Sequence, residues 1–414
     1  MYDLVTDCRI CGAIDLARVL DLGAQPLANH LRYPSDPPLD PVPLALMLCS
    51  SCSTAQISAT VRPEELFGNY FWVTGTSVVA RHYSDTFVER VDRVVSGLDG
   101  LGEVVPRFVV EVASNDGTFL RRFLESGWRV LGVEPAGNIA NVASIGGIPT
   151  LPEFFSVELA DSLQSEYGCA DVVVARNVIP HVADIHSVIE GLATLAGDSG
   201  VVVIEVHSAE VILDEIHYDS IYHEHLFYFS LETLCGLCER YGLIPFDLFE
   251  SPISGGSLVL FLSKHRYPIG SRLDKAVDAV APLTLNSPDR WAVFADYATQ
   301  HAADLKAVVD KYSRSGRVVG YGASARSSTM LNFAKITNVD VQAVIDQNEL
   351  KHGRLTAGTN IPIVSPEVGL GEISRSDAVL LLAWNFEEEI VSRLRGSGYR
   401  GDIIVPLPRN IRVL

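Results

Sequence analysis

The sequence predicts an α/β protein of three parts: a small metal-supported unit at the N-terminus, a central domain built on a parallel sheet, and a smaller α/β domain at the C-terminus. Three observations predict it. Two C-x2-C pairs fall within the first 52 residues. From residue 107, short continuous apolar runs alternate with helical segments, as strands buried on both faces of a doubly wound sheet do. A second strand–helix series starts near residue 317. The 414 residues exceed what a single core usually holds. The expected units are 1–75, 76–284 and 285–414.

The elements follow in order. Residues 1–75 hold Cys8, Cys11, Cys49, Cys52 and the Pro-rich stretch YPSDPPLDPVP, and few regular elements are expected there. SVVARHYSDTFVERVDRVV has apolar residues at helical spacing. FVVEVA, RVLGVE, DVVVARN and VVVIEV read as parallel strands, and TFLRRFLESG as a helix closed by Gly127. SLVLFLS reads as a late antiparallel strand. A helical connector covers about 285 to 315, followed by the strands RVVGYG, VQAVID, DAVLLLAW and DIIVP.

The formal net charge is −19, which lacks the basic footprint of a nucleic-acid binder. No run reaches the ~20 apolar residues of a membrane span. The N-terminus shows no basic region followed by an apolar one, so no secretory signal is expected. The expected location is the cytoplasm, and the expected state a monomer. Seven cysteines, an odd number, argue against a disulfide scaffold.

Cys8, Cys11, Cys49 and Cys52 offer four thiolates, the tetrahedral set of structural zinc. Such a closed site leaves no open position for catalysis. Cys235 and Cys238 sit within one helical stretch without a second pair and read as packing residues. The turn after the first central strand, EVASNDG, holds one glycine. It does not match G-x-G-x-x-G, which weighs against a dinucleotide. Glu134 ends the next strand and can accept from both hydroxyls of a ribose; a parallel-sheet domain with an incidental glutamate reads equally well.

Tyr222-His223-Glu224-His225 is the densest titratable group. Histidine titrates near neutrality and suits a general base. An H-x-H metal pair and a polar loop of satisfied histidines are the alternatives. In an extended segment Tyr222 and Glu224 share one face, and His223 and His225 the other; a turn changes that grouping. Near the C-terminus, GYGASA opens a helix, where free N–H groups attract phosphate. Tyr321 lies in that turn, Arg326 just inside the helix, and Lys351, His352 and Arg354 in a downstream loop. A nicotinamide site and a purely packing role are the other readings of this unit.

Taken in order, the paired cysteines, EVASNDGTFL, LGVEPAGNIA, Phe154-Phe155, NVIPH, YHEH, GYGASA and LLLAWN resemble the sugar C-methyltransferases of antibiotic biosynthesis over nearly the whole chain. The resemblance implies that the central unit is an S-adenosylmethionine-binding, Rossmann-like methyltransferase domain. It implies that Glu111, Ser114, Asn115 and Gly117 line the cofactor, that Glu134 holds its ribose, and that Asn177 lies near its methionine end. His225 matches the base, Tyr222 and Glu224 lie at the reactive carbon, and His181 matches another active-site histidine. The C-terminal unit then helps to hold a dTDP-linked sugar, with Trp384 and Asn385 near the nucleotide. Arg326 stands where the family commonly has a lysine. Phe71 and Trp72, beside Tyr70, occupy a stretch where the family often carries tyrosines. The expected reaction is methylation of a dTDP-4-keto-deoxyhexose at C3 through an enolate. Its rivals are a nicotinamide-dependent ketoreductase or epimerase, and a non-catalytic nucleotide-sugar-binding protein.

Overall fold

The computed structural model describes residues 2–38, 40–67, 73–98, 106–280, 286–373 and 377–414. The N-terminal unit is more regular than its sequence suggests. It contains β1 (Tyr2–Leu4), β2 (Leu16–Gln25), β3 (Val42–Cys49), β4 (Ala55–Ile57) and β5 (Ala59–Val61). β2, β3 and β4 form an antiparallel meander, and β1 pairs with β5. The β2–β3 register shifts at Arg18/Leu20 and at Asp21/Ala24. Each bulge reverses the inward-facing parity, so the two-residue alternation that announces a strand is erased. After α1 (Pro63–Phe67) comes α2 (Val78–Ser96), capped by the Ser77 side chain, which accepts from Ala80 N.

The central unit runs β6 (Phe108–Val112), α3 (Thr118–Glu125), β7 (Arg129–Val133), α4 (Gly137–Ile145), β8 (Thr150–Leu151), α5 (Val157–Tyr167), β9 (Val172–Arg176), α6 (Ile185–Ala196), β10 (Val201–His207), α7 (Ala209–Glu215), β11 (Phe227–Tyr228), α8 (Leu231–Glu239), β12 (Ile244–Ser251), β13 (Ser257–Ser263) and α9 (Ser271–Val280). Its seven-stranded sheet has the order β12-β13-β10-β9-β6-β7-β8. β13 lies antiparallel between β10 and β12, as its sequence predicts. The strand order reverses beside β6, so the turns after β6 and β9 part and leave a crevice at their carboxyl ends. β11 does not join this sheet. It pairs antiparallel with β4 of the N-terminal unit, Phe227 opposite Gln56 and Tyr228 opposite Ala55.

The connector is α10 (Pro288–Ser313). Beyond it lie β14 (Val318–Tyr321), α11 (Ala325–Phe333), β15 (Ala343–Ile345), β16 (Ile363–Val364), α12 (Pro366–Glu372), β17 (Ala378–Leu381), α13 (Glu387–Gly396), β18 (Ile403–Val405) and β19 (Arg412–Val413). The sheet order is β16-β15-β14-β17-β18-β19, antiparallel only at β19. One contiguous apolar core links all three units, and a second lies between the central sheet and α2 and α3. Among the described residues, no helix is long and apolar enough to cross a membrane.

Candidate active site

The four N-terminal thiols converge. Their Sγ atoms all lie within 4.8 Å of one another, with Cys8–Cys52 and Cys11–Cys49 each at 3.6 Å. A tetrahedral zinc at about 2.3 Å from each sulfur needs S–S spacings of about 3.8 Å, so the set fits the ion. Two matching turns build it. Gly12 N donates to Cys8 O and Ser53 N to Cys49 O, and both Gly12 and Ser53 have positive φ. Ile10 N also donates to Cys8 Sγ, a bond that favours a thiolate. Cys235 and Cys238 lie together on α8, and burial pushes both thiols up, consistent with inert packing.

The turn after β6 is held in an unusual backbone. Ala113, Asn115 and Gly117 all have positive φ. A Cβ at Gly117 would come within 2.9 Å of Ile148, so glycine is required there. Glu134, at the end of β7, fixes this turn. Its Oε2 accepts from Asn115 N and its Oε1 from Ala136 N, each at 2.9 Å. Burial raises its pKa, while these two amides oppose the rise. A carboxylate oxygen accepts two bonds, so both oxygens keep capacity for a ribose hydroxyl. Ser114 Oγ is buried without a partner, and Asn177 sits beyond β9 with φ 52°. The residues after the aromatic stretch dock on the same turn: Thr74 N donates to Asn115 Oδ1 and Gly75 N to Asp116 Oδ2. Asp116 also accepts from Thr118 and so opens α3; its role was not read from sequence. Tyr70, Phe71 and Trp72 lie outside the described residues.

Glu111 is 1% exposed and its Oε1 accepts from Arg176 Nε at 3.0 Å, while Arg176 also reaches Glu205 on β10. Burial pushes Glu111 up to about 7, with Arg176 opposing. Its carboxylate thus joins a buried ionic rung across β6, β9 and β10 and supports the crevice from beneath.

Residues Tyr222–His225 form a turn, with His225 N donating to Tyr222 O, and so regroup the cluster. Tyr222 Oη lies 2.8 Å from His225 Nε2, and His225 Nδ1 3.1 Å from Ser220 O. A carbonyl only accepts, so Nδ1 carries the hydrogen, and Nε2 presents its lone pair to the Tyr222 hydroxyl. The His181 ring stands 4.6 Å from that of His225 at 79°. Leu226 N donates to Pro180 O and joins the two segments. Burial pushes His181 down to about 4. Burial, with His181, His207 and Arg326 adding, pushes His225 well below its ordinary value. Both rings are therefore neutral near pH 7. Glu224 and His223 face the N-terminal unit instead. Glu224 Oε1 accepts from Asn29 Nδ2 at 2.7 Å, and His223 Nε2 donates to Val42 O. Asn29, 195 positions upstream, carried no signal in the sequence.

In the C-terminal unit, a Cβ at Gly322 would collide with Ala383, which explains the glycine. Two of the turn's amides are engaged: Gly322 N donates to Ile345 O and Ala323 N to Asp346 Oδ2. Lys351 reaches Asp346 and Ala323 O. Arg354 donates to the carbonyls of Leu350 and Leu31 and lies over Tyr33. Tyr321 Oη is buried without a partner, and Asn385 is exposed. Arg326 does not stand with Lys351: its guanidinium grips Asp219 of the central unit at 2.9 and 3.0 Å.

Comparison with known proteins agrees with this three-part construction. A zinc-binding domain model matches residues 8–67, a methyltransferase domain model 89–244, and a C-methyltransferase C-terminal domain model 252–408. The C-methyltransferase NovU of Streptomyces niveus is 32% identical over 427 residues, covering 99% of this chain and 97% of the relative. The chain belongs to the C-methyltransferase family. It is an S-adenosylmethionine-dependent C-methyltransferase with a four-cysteine zinc site. Solved structures resemble part of it. Magnesium protoporphyrin IX methyltransferase of Synechocystis shares 13% identity over 45% of this chain and 80% of its own, with a TM-score of 0.33. An S-adenosylmethionine-dependent methyltransferase of Clostridium acetobutylicum shares 11% over 47% and 94%, with a TM-score of 0.35.

Proposed function

We propose that this C-methyltransferase methylates C3 of a dTDP-4-keto-deoxyhexose, with His225 as the general base. The observation that carries the reading is the Tyr222–His225 pair beside His181. It brings a neutral lone pair and a hydroxyl donor on one turn beside a second imidazole from the segment after β9. A 4-keto group acidifies the adjacent C–H, and removing that proton leaves an enolate. As the sugar enters, the Tyr222 hydroxyl turns from His225 Nε2 to the keto oxygen. The lone pair of Nε2 is then free to take the C3 proton. Tyr222 and His181 stabilise the charge growing on oxygen. Bound S-adenosylmethionine supplies the electrophilic methyl that the enolate carbon attacks. Glu134 holds its ribose, and the turn of Ser114, Asn115 and Gly117, with Asn177, lies along it. Glu111 acts through Arg176, supporting the turn without touching the ligand.

Tyr321, Lys351, Arg354 and Asn385 are the proposed nucleotide side; Arg326 and Trp384 are removed from that set because both are bonded to Asp219. The test is methyl transfer from S-adenosylmethionine to a dTDP-4-keto-6-deoxyhexose, with product mapped by NMR. In D2O without a methyl donor, the wild type exchanges the proton alpha to the ketone and the His225→Asn variant does not. Methyl transfer by that variant at the wild-type rate would rule His225 out.

A further inference from the structure

Asp219 is fully buried, three residues before Tyr222. A buried carboxylate persists only where charge and hydrogen bonds meet it. Among the described residues, the hydrogen-bond donors that meet Asp219 come from the C-terminal unit. Arg326 Nε donates to Oδ2 at 3.0 Å and Nη2 to Oδ1 at 2.9 Å, while Trp384 Nε1 donates to Oδ2 at 2.8 Å. The third guanidinium nitrogen of Arg326, Nη1, reaches Ser254 O at 2.8 Å. The Trp384 ring lies 4.6 Å from the Arg326 guanidinium and 4.7 Å from the His217 ring. A planar fork can bind a carboxylate in two places and stack on an indole at once; an ammonium cannot.

The neighbouring residues are held from the same side. Thr329 Oγ1 on α11 donates to Ile221 O at 3.0 Å. Tyr218 Oη meets His301 Nδ1 at 3.1 Å, and His301 Nε2 donates to Pro406 O at 2.7 Å. Between these anchors lies Ser220, whose carbonyl takes the Nδ1 hydrogen of His225 and so sets its tautomer. The path is continuous: Arg326 and Trp384 fix Asp219, the next carbonyl fixes the imidazole, and the imidazole faces Tyr222.

We propose that Asp219, Arg326 and Trp384 form an interdomain latch that positions His225, and that Arg326 is a positioning residue and not a ligand of the diphosphate. The proposal rests on the assignment of the Tyr222–His225 turn as the reacting end.

The test uses the full chain carrying Arg326→Met, Arg326→Lys or Trp384→Phe, with three readouts. Hydrogen exchange over residues 217–225 should speed up in Arg326→Met while the β6–β7 turns stay protected. Calorimetric affinity for dTDP should stay within about twofold of wild type, because no ligand contact is lost. Turnover at saturating dTDP-4-keto-6-deoxyhexose should fall on the order of 10–100-fold, as displaced catalytic groups cause. Arg326→Lys should recover part of that turnover, since it keeps the charge but loses the fork. If Arg326→Met does not fold, Arg326→Lys and Trp384→Phe carry the same three readouts. Unchanged exchange at 217–225, or a tenfold or larger loss of dTDP affinity with turnover intact, overturns the latch. Failure of the wild type to methylate the sugar defeats the proposed function, while the exchange measurement still decides the latch.

Discussion

His225 can take a proton only through a lone pair that faces the substrate, and its two neighbours decide which nitrogen carries it. Ser220 O claims the Nδ1 hydrogen, so Nε2 is the basic atom. His225→Asn keeps similar size but no base, and turnover should fall by a factor on the order of 10^2–10^4 with both ligands still bound. Single-turnover kinetics and calorimetry check the two halves of that statement. The pH profile belongs to a different residue. Burial pushes Glu224 up to about 7, and the Asn29 amide pulls the other way by favouring the charged form. The carboxylate is lost as pH falls through that value, so kcat/KM should decline on the acid side near pH 7 if Glu224 orients the turn. Asn29→Ala removes the donor and should move the limb to higher pH; Glu224→Gln should flatten it. His225, held well below its ordinary value, stays neutral across this window. A limb unmoved in both variants would show that Glu224 has no part in it. At the other end of the crevice, Glu134→Ala should weaken S-adenosylmethionine binding by roughly 1–3 kcal/mol, the cost of a lost charged hydrogen bond. The same substitution frees Asn115 N and Ala136 N, so part of that loss reflects a loosened turn. Unchanged affinity by calorimetry would place the ribose elsewhere.

At the level of elements, the join between β11 and β4 changes what the zinc site does. Phe227 and Tyr228 follow His225 after a single residue, Leu226, and complete the sheet whose third strand ends at Cys49. Arg240, just past α8, donates to Ile10 O inside the first metal turn. Zinc bound to four thiolates carries folding energy, and here that energy also reaches the Tyr222–His225 turn. Stripping zinc with a strong chelator, or making Cys8→Ser, should therefore release hydrogen-exchange protection across residues 225–230 and abolish turnover. S-adenosylmethionine should still bind, because β6 and β7 also pack into the second core with α2 and α3, which holds no residue of the zinc unit. Full activity without metal would refute this coupling. The same join explains what the sequence could and could not disclose. The inner strands of both large sheets were legible, since VVVIEV and DAVLLLAW are buried on both faces and need no partner to be recognised, whereas β8, β12, β16 and β19 at the edges were not. The cysteine spacing was legible because metal geometry acts locally. The meander was not, because bulges in β2 broke its alternation. Nor was a two-residue strand such as β11, whose existence depends on a partner about 170 positions away. The site followed the same rule. His225, Tyr222 and His181 stood in local motifs, whereas Asn29, Asp116 and Asp219 gain meaning only from distant partners. Arg326 belongs with them: a cation beside a glycine turn reads as a phosphate ligand, and its bond to buried Asp219 comes from 107 positions away.

On the scale of the whole molecule, charge should sort the two ligands by sign. The chain carries −19, and its most prominent C-terminal cation, Arg326, is matched by Asp219. Lys351 is likewise paired with Asp346. The far field that an approaching molecule meets is therefore negative. S-adenosylmethionine, with a sulfonium and an ammonium against one carboxylate, is drawn in. A dTDP-sugar, the proposed substrate, carries two phosphate charges and should be slowed by the same field. The Debye length is about 30 Å at 0.01 M salt and about 8 Å at 0.15 M, so salt removes the long-range part first. Raising ionic strength across that range should slow association of S-adenosylmethionine and speed association of dTDP. Dissociation rates, set by short-range contacts, should change less. Stopped-flow association kinetics with each ligand separately would measure both slopes. Two slopes of the same sign would mean that a local field in the cleft overrides the acidic whole, with Arg354 and Lys351 then the first residues to neutralise in search of it.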